Sequence, residues 1–385
     1  MSVYLDHAAS APVRPEAAEA FTRALAEVGN PSSTHAHGRA ARARLEDARE
    51  RLAAAMDAHP TEVVFTSGGT ESVNLAIKGL YWRGLPAGRD RVVSSTAEHP
   101  ATLDALDWLR GQGAGVDLVP VDGEARLDLA ALDRVVEAGG TRRVAVLSLL
   151  WASNEVGTVE RSDPIADLCA ALGVPLHWDA IAAVGKTPIS FRRSGATALS
   201  LSGHKLGAPI GSGALLVRRG HEPEALQHGG QQQPGRSGTV DVAGAAALAV
   251  AVELAVAEQA DEATRLTALG ERLRDGLLAA VPDARISGPE DPAARLPGHV
   301  HATIPGVLGE TLLFVLDRAG CSVSVGSACR AGVAEPSHVL LAMGRDTAEA
   351  RSGLRLTLGR TSTTADVDAF LAAIAPAVAV ARAAA

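Results

Sequence analysis

The chain has 385 residues, of which 47% are hydrophobic and only 3% aromatic. This length and apolar content suit two domains with large buried interiors, which we expect to consist of many helices packed on a buried sheet. The net charge of −8 and the lack of a basic cluster with interleaved aromatic residues argue against nucleic acid as a partner.

The cellular compartment is predicted from the N-terminus, the longest apolar run and the cysteines. The first residues contain no basic segment followed by an apolar one, so no secretory signal is expected. The longest apolar run, Val242–Val252, is shorter than the roughly 20 residues that a membrane span needs, so no membrane is expected as a partner. Cys169, Cys321 and Cys329 form neither a disulfide framework nor a zinc-binding pattern. We therefore expect a cytoplasmic protein with reduced thiols and no resident metal ion.

Short β-rich runs alternate with helical patterns from about residue 60 to residue 220. One helix is predicted to follow Ser67–Thr70, with Glu71 near its beginning, and another to begin near Pro100. This alternation predicts an α/β domain with a mostly parallel sheet that is covered on both faces. The predicted strands are Glu62–Thr66, Arg91–Ser95, Val116–Val119, Arg143–Leu149, Pro175–Trp178, Ala198–Leu201 and Gly213–Val217.

The C-terminal part of the chain has a different pattern. From Asp241 to about Ala280 the sequence is helical throughout and rich in alanine, which predicts a long helix that could lead to a second domain. Segments such as His299–Ile304 and Leu354–Leu358 then predict a smaller α+β domain.

Polar residues follow the predicted strands, where ligands bind in open α/β sheets. Ser67–Thr70 joins a strand to a helix, and backbone N–H groups with a hydroxyl there suit a phosphate, although an ordinary cap by Thr70 explains the same residues. Asp179 could pair with the protonated ring nitrogen of a pyridine cofactor, or it could cap a helix. His99 could stack on such a ring or be a hydrogen-bonded loop residue. Asn154 could orient the cofactor or the substrate, or belong to a turn.

Lys205 is one of only three lysines in the chain. We interpret Lys78 as a solvated residue near the end of a helix and Lys186 as a loop residue. Lys205 lies instead between an apolar segment and a glycine-rich one, with Ser202 and His204 close by in sequence. This setting suits a lysine that holds an aldehyde cofactor as a Schiff base, although a single lysine is most often a surface residue.

Cys329 lies in a small, polar, glycine-containing stretch that predicts an exposed loop, and Arg330 follows it. This position suits a reactive thiolate, whereas Cys169 and Cys321 fit buried positions as small apolar residues. Arg355 alternates with apolar neighbours on a predicted strand. It could bind a carboxylate through two parallel hydrogen bonds, or it could be a surface arginine.

Taken in order, ten segments of this chain resemble the cysteine desulfurases, which are pyridoxal-phosphate (PLP) enzymes of the class V aminotransferase family. Each segment alone is modest evidence, but their shared order over nearly the whole chain is highly specific. They are Tyr4–Ala9, Asn30–His35, Phe65–Ser72, Asn154–Thr158, Asp179–Ala180, Ser202–Lys205, Arg236–Thr239, Gly326–Cys329, Glu335–Val339 and Arg355–Gly359.

The resemblance implies fold type I of the PLP-dependent transferases, with a seven-stranded sheet in the large domain. Residues 15–255 would form this domain, and residues 1–14 and 256–385 a small domain that carries the cysteine loop and Arg355. The implied reaction converts L-cysteine to L-alanine and leaves a persulfide on Cys329. The implied partners are a second copy of the chain and a sulfur-acceptor or scaffold protein. The step from Cys329 to Glu335 matches the family members with a long cysteine loop.

The resemblance also implies a role for each matching residue. Lys205 would hold the cofactor and transfer the proton, Cys329 would be the nucleophile, and Asn154 and Arg355 would hold the substrate. Asp179 would pair with the pyridine nitrogen and His99 would stack on the ring. The implied cofactor-binding residues are Gly69, Thr70, His99, Asn154, Asp179, Ala182, Ser202, Gly203, His204, Lys205 and, from the neighbouring subunit, Thr239.

The sequence departs from the family pattern at Ala182, where members usually carry a glutamine that bonds to the phenolic oxygen of the cofactor. The segment before Arg236 is also altered and slightly shorter than usual. Ala182 leaves open a related selenocysteine lyase, a carbon–sulfur lyase or a class V aminotransferase. A non-catalytic sulfur-transfer scaffold is a further alternative, although Lys205 and Cys329 argue against it. Iron–sulfur cluster assembly or thiolation could use the sulfur, and Cys329 could ligate iron during transfer.

Overall fold

The computed structural model of the chain describes residues 2–326 and 335–384. Strands make up a central sheet, a smaller sheet and two short pairs. In chain order they are β1 (Val3–Tyr4), β2 (Val63–Thr66), β3 (Arg91–Ser95), β4 (Gly115–Val119), β5 (Val144–Leu150), β6 (Leu176–Asp179), β7 (Ala198–Ser202), β8 (Gly213–Val217), β9 (Gln231–Gln233), β10 (Arg236–Ser237), β11 (Arg285–Ser287), β12 (His299–Thr303), β13 (Cys321–Ser322) and β14 (Gly353–Thr357).

The helices connect and cover these strands. They are α1 (Pro15–Leu25), α2 (Ala36–Ala55), α3 (Gly69–Gly84), α4 (Pro100–Gly111), α5 (Leu129–Ala138), α6 (Ser162–Leu172), α7 (Val242–Ala257), α8 (Gln259–Ala280), α9 (Gly309–Arg318), α10 (His338–Ala342), α11 (Thr347–Ala350) and α12 (Thr364–Ala383). The predicted beginnings of α3 and α4 are confirmed, and His99 accepts a hydrogen bond from the backbone N–H of Ala101 at the start of α4.

The central sheet has the strand order β2-β8-β7-β6-β5-β3-β4. The strands β4, β3, β5, β6 and β7 are parallel, and β8 runs antiparallel to its neighbours β7 and β2. The prediction of an α/β fold with a mostly parallel seven-stranded sheet is therefore confirmed. Each predicted strand agrees with an observed one to within one residue at either end.

Helices cover both faces of the central sheet, which explains why the residues of its inner strands β3, β5, β6 and β7 are buried on both sides. Residues of α1, α2 and α7 share one core with Trp178 and Leu199. Residues of α3 and α4 share another core with Val92 and Val146. With both faces buried, the open carboxyl ends of the parallel strands are left to form a ligand site.

A separate core belongs to the smaller antiparallel sheet, whose strand order is β11-β12-β14. Residues of α8, α9 and α12 pack in this core, and Val3 and Leu5 from the N-terminus join them. The smaller sheet with its helices agrees with the predicted α+β unit. The proposed division of the chain at residues 14/15 and 255/256 stays a prediction.

The single long helix expected from Asp241 to Ala280 is wrong, although the segment is helical. α7 ends at Ala257, α8 begins at Gln259, and the two helices are bent by 68°. The carboxylate of Glu258, at the break, accepts hydrogen bonds of 3.0 and 2.8 Å from the Arg14 guanidinium. The bend lets α7 pack in a core of the central sheet while α8 packs in the core of the smaller sheet.

Among the described residues, α12 is long and apolar enough to cross a membrane by length and composition, and the bent pair of α7 and α8 passes the same test. One face of α12, with Val367, Phe370 and Ile374, lies in the core of the smaller sheet. The segment Val242–Val252, which the sequence marks as the longest apolar run, lies in α7 and in a core of the central sheet.

Candidate active site

A cavity of about 380 Å³ opens between the carboxyl ends of the central strands and the smaller sheet. Asp179 ends β6, Ser202 ends β7, and His99 and Asn154 follow β3 and β5. Arg355 reaches the cavity from β14. The parallel strands place these side chains together because their carboxyl ends share one edge of the sheet.

The cavity contains ten of the residues singled out from the sequence: Gly69, Thr70, His99, Asn154, Asp179, Ala182, Ser202, His204, Lys205 and Arg355. Gly203 does not line it, and a Cβ atom there would lie 2.3 Å from Oγ of Ser212. Thr239 lines a different cavity, together with Arg236 and Ser67. Cys329 lies outside the described residues, although Ser324 and Gly326, which precede it, line the main cavity.

The expected phosphate site at Ser67–Thr70 lies at the start of α3. Gly68, and not Thr70, is the residue that precedes the helix, and no side chain caps it. Gly68 has a φ of 146°, and a Cβ atom at Gly213 would lie 2.6 Å from its Cα, so loop and strand meet without side chains between them. Oγ of Ser202 is buried and has no hydrogen-bond partner within the described residues. An uncapped helix N-terminus beside an unpartnered hydroxyl suits an anion such as phosphate.

Lys205 and Asp179 are a basic and an acidic side chain that both line the active-site cavity, and both are buried. Lys205 lies in a short helical turn after β7, and burial lowers the pKa of its amine to about 8. Burial raises the pKa of Asp179 to about 6, although the backbone N–H of Ile181, 3.0 Å from Oδ1, and the charge of Lys205 act in the opposite direction. A cationic ring nitrogen beside Asp179 would stabilise its ionised form, and a deprotonated Lys205 would be a nucleophile for an aldehyde.

His99 is an uncharged imidazole at the wall of the cavity. Its Nδ1 accepts the hydrogen bond from Ala101, so the proton of the neutral ring lies on Nε2. Burial, followed by the charge of Lys205, lowers the pKa of His99 to about 4. A neutral planar ring of this kind suits stacking on an aromatic cofactor.

The sequence predicts no role for Asp6, although this residue lies in the family-like segment Tyr4–Ala9. In the structure Asp6 lines the cavity and pairs with Arg355 at 2.8 Å. The one signal in the sequence is a carboxylate that comes two residues after a short strand, β1. Its partner is 349 residues away, so local patterns could not identify the pair.

Glu155, also unassigned from the sequence, contacts the chain on both sides of the segment that contains Cys329. Its carboxylate accepts a hydrogen bond from the Ser337 hydroxyl, and a Cβ atom at Gly326 would lie 2.9 Å from its Cγ. Burial raises the pKa of Glu155. Glu155 therefore connects the two described flanks of that segment to the loop that carries Asn154.

The other cysteines and lysines have distinct environments. Cys169 and Cys321 are buried as expected, and burial raises the pKa of both thiols, that of Cys169 to about 12. The interpretation of Lys78 as solvated near a helix end is wrong: it lies inside α3, half-buried, with Nζ 4.4 Å from the centroid of the Trp108 ring. Lys186 lies in a loop, as predicted, but it lines a second cavity that Lys205 also lines.

Comparison with known proteins identifies the family. Residues 3–370 match the sequence profile described as aminotransferase class-V. The chain belongs to the class V aminotransferase family. This class V aminotransferase is 47% identical, over 386 residues, to the IscS-like cysteine desulfurase of Mycobacterium tuberculosis. The match covers 99% of this chain and 98% of that protein.

Solved structures show that this class V aminotransferase has the fold of NifS-like proteins. A NifS-like protein with 31% identity superposes with a TM-score of 0.90 and covers 99% of this chain and 100% of that one. The structure of SspA in complex with cysteine has 29% identity and a TM-score of 0.78, over 93% of this chain and 99% of that one. The fold is that of the fold type I PLP enzymes, as the resemblance implies.

Class V aminotransferases depend on PLP, and the cavity of this chain fits that cofactor. The unpartnered hydroxyl of Ser202 and the uncapped start of α3 suit the phosphate of the cofactor. The buried amine of Lys205 suits its aldehyde, and the buried carboxylate of Asp179 suits its ring nitrogen. The volume of about 380 Å³ is within the range of small-molecule sites.

Proposed function

We propose that this protein is a PLP-dependent cysteine desulfurase that converts L-cysteine to L-alanine and takes up the sulfur as a persulfide on Cys329. The observation that carries the proposal is the shared cavity of Lys205, Asp179 and Arg355 in a chain so similar, over nearly its full length, to an IscS-like cysteine desulfurase. The cavity offers an amine, a carboxylate and a guanidinium, which suit an aldehyde, a pyridinium and an amino-acid carboxylate respectively.

The cofactor would be held at three points. Gly69, Thr70, Ser202 and His204 would bind the phosphate, and Asp179 would pair with the ring nitrogen while His99 covers the ring. When bound, PLP supplies an electron-withdrawing ring that stabilises negative charge at the α-carbon of the substrate. Ala182 lines the cavity with a methyl group, so no side-chain hydrogen bond from this position reaches the cofactor.

Residues of the chain itself would bind the substrate, accept its α-proton and take up its sulfur. Arg355 and Asn154 orient the substrate, with Arg355 bound to its carboxylate. The Lys205 amine accepts the α-proton, and its lowered pKa favours the neutral form that this step needs. The Cys329 thiolate then attacks the substrate sulfur. The carbon–sulfur bond breaks with its electron pair left on the β-carbon, and a sulfur–sulfur bond forms on Cys329. The β-carbon takes up a proton and the α-carbon regains one to give alanine, so the step balances without an outside oxidant.

We also propose that the enzyme is a homodimer in which Thr239 binds the cofactor phosphate of the partner subunit. In support, Thr239 does not line the active-site cavity of its own Lys205 but a separate one, together with Arg236 and Ser67. Arg236 forms a salt bridge of 3.0 Å with Glu71, on the first turn of α3. Mixing Lys205→Ala with Thr239→Ala subunits tests this, because heterodimers would regain one intact site whereas monomers would regain none.

The persulfide would pass to an acceptor or scaffold protein for iron–sulfur cluster assembly or thiolation, and Cys329 could ligate iron during the transfer. We place the enzyme in the cytoplasm, since this chemistry needs free thiols and Cys169 and Cys321 are unpaired.

The function is tested by incubating the purified PLP-loaded protein with L-cysteine and a thiol reductant. Equal yields of alanine and sulfide are expected, with a persulfide on the peptide that contains Cys329 when the reductant is left out. Selenocysteine and cysteine sulfinate, assayed in parallel, separate the related lyases. If a selenium or sulfinate substrate is processed while cysteine gives no alanine, the proposal is wrong.

A further inference from the structure

Lys205 lines two cavities in this structure. The first is the candidate active site, and the second is a cavity of about 70 Å³. The second cavity has room for a few water molecules but not for an amino acid. Its wall includes Lys186, so two of the three lysines in the chain border one small space.

The backbone of Lys186 is held at both ends. Its N–H donates to the carbonyl oxygen of Ala183 at 2.9 Å, and its own carbonyl oxygen accepts a hydrogen bond of 3.2 Å from Gln259. Its ammonium forms no hydrogen bond or salt bridge with any residue that the structure describes. The side chain is therefore placed beside the second cavity by its loop and not by a charged partner.

The two carboxylates that line this cavity are already engaged. Glu258 pairs with Arg14 at 2.8 Å, and Glu262 pairs with Arg265 at 2.8 Å. The imidazole of His7 adds no further positive charge, because burial lowers its pKa to about 4 and the ring stays neutral. The positive charge of Lys186 thus lacks a paired anion in the cavity wall.

The two lysines interact electrostatically. Burial, followed by the charge of Lys205, lowers the pKa of Lys186 to about 8. Because the repulsion between two like charges is mutual, the charge of Lys186 must likewise oppose protonation of Lys205. The charged and titratable groups around the pair are Asp6, Asp179, Arg355, His99 and His204 near Lys205, and His7, Arg14, Glu258, Glu262, Arg360 and the neutral His299 near Lys186.

Asp179 and Asp6 have the opposite effect to Lys186 on Lys205, because both carboxylates favour its protonated form. A proton acceptor must be neutral at the moment when it takes the substrate proton, so the effect of these two anions on Lys205 needs an opposing charge. Arg355 supplies part of it from the substrate side. Lys186 supplies charge from the second cavity, where no substrate group can neutralise it.

We propose that Lys186 is a positioning residue for the reaction, whose uncompensated charge keeps the neighbouring Lys205 amine free to accept the substrate proton. This inference depends on the proposed function, in which Lys205 is the proton acceptor. Lys186 itself touches neither substrate nor cofactor. It acts through the lysine that shares its cavity.

The test measures the reactivity of each lysine separately, which is practical because the chain has only three. Apo-protein is labelled with trace acetic anhydride over a range of pH, and the labelling rate of each lysine is read by mass spectrometry of its own peptide. Lys186→Met removes the charge and keeps the length, whereas Lys186→Arg keeps the charge. Lys78→Met is the matched control, since Lys78 lies on α3 over Trp108 and lines neither cavity.

In Lys186→Met, the pH at the midpoint of Lys205 labelling should rise by about one unit, because a nearby like charge that lowers the pKa of Lys205 is lost. Lys186→Arg and Lys78→Met should keep the wild-type midpoint. An unchanged midpoint in Lys186→Met, or an equal shift in Lys186→Arg, would overturn the role of the charge. The acid limb of the pH profile of kcat/KM should move in the same direction as the labelling midpoint.

If Lys186→Met does not fold, as judged by near-ultraviolet circular dichroism, the reciprocal variant decides. Lys205→Met should raise the midpoint of Lys186 by the same amount, and no shift there would refute the interaction. The labelling uses no cysteine, so its result is separate from the desulfurase assay. A wild-type enzyme without desulfurase activity would refute the proposed function while leaving the coupling of the lysines measurable.

Discussion

Arg355 donates a hydrogen bond of 2.8 Å from Nη2 to Oδ1 of Asp6. Its Nη1 donates a second bond, of 3.0 Å, to the carbonyl oxygen of Asn154. The side chain of Arg355 is only 7% exposed, so both bonds form where water competes weakly. The guanidinium that we assign to the substrate carboxylate is therefore oriented from both sides before any substrate binds.

Replacing Asp6 by alanine should weaken substrate binding. A hydrogen bond between charged groups is worth about 1.5–3 kcal/mol, so we expect KM for L-cysteine to rise by about tenfold or more, with a smaller change in kcat. Asp6→Asn, which keeps an acceptor oxygen, should lie between the wild type and Asp6→Ala. Steady-state kinetics measure both values. A KM that stays the same or falls in Asp6→Ala would show that Asp6 does not orient Arg355 for binding.

Replacing Lys205 by alanine should remove the covalent attachment of the cofactor. The visible absorbance of lysine-bound PLP should be lost, and borohydride treatment should no longer fix the cofactor to the chain. Lys78→Ala is the control, because Lys78 lies outside the cavity. Borohydride-fixed cofactor on any other lysine of the wild type would contradict the assignment.

Replacing Cys329 by alanine should leave the cofactor colour unchanged while release of sulfide falls by about 10³-fold or more, as expected for loss of a nucleophile. Cys321→Ala should keep most activity, since burial raises the pKa of Cys321 and disfavours its thiolate. Sulfide and alanine are measured together. Normal sulfide release by Cys329→Ala would require a different sulfur carrier.

Glu98 should make stability depend on pH. Its Oε1 accepts hydrogen bonds from the Ser95 hydroxyl at 2.6 Å and the Leu150 N–H at 3.3 Å, yet burial raises its pKa to about 8 from the ordinary value of 4.5. Between these two values the folded chain binds more protons than the unfolded chain. The free energy of unfolding should therefore fall as pH rises, by up to about 1.4 kcal/mol per pH unit.

The neutral amide in Glu98→Gln resembles the protonated carboxyl and does not ionise. We expect this variant to lose the Glu98 contribution to the pH slope and to exceed the stability of the wild type at about pH 8. Chemical denaturation of the two apo-proteins across this range measures the difference. If the two stability curves run parallel, Glu98 is not protonated in the folded chain.

Much of the central sheet follows from local sequence. Short β-rich runs such as Arg91–Ser95 and Gly213–Val217 predicted the bounds of β3 and β8. The placement of Asp179 and His99 also followed, because residues after parallel strands converge at one edge. Where the ends of elements depend on long-range partners, as at Glu258, local periodicity predicted one helix and the structure has two.

The sequence by itself determined the strands, the motifs and the family to which they belong, because these are encoded in neighbouring residues. Only the tertiary structure decided that Asp6 orients Arg355 and that Lys186 shares a cavity with Lys205. Both relationships join segments that belong to separate cores or loops. Their distances depend on how those units pack, and no periodic pattern along the chain records that packing.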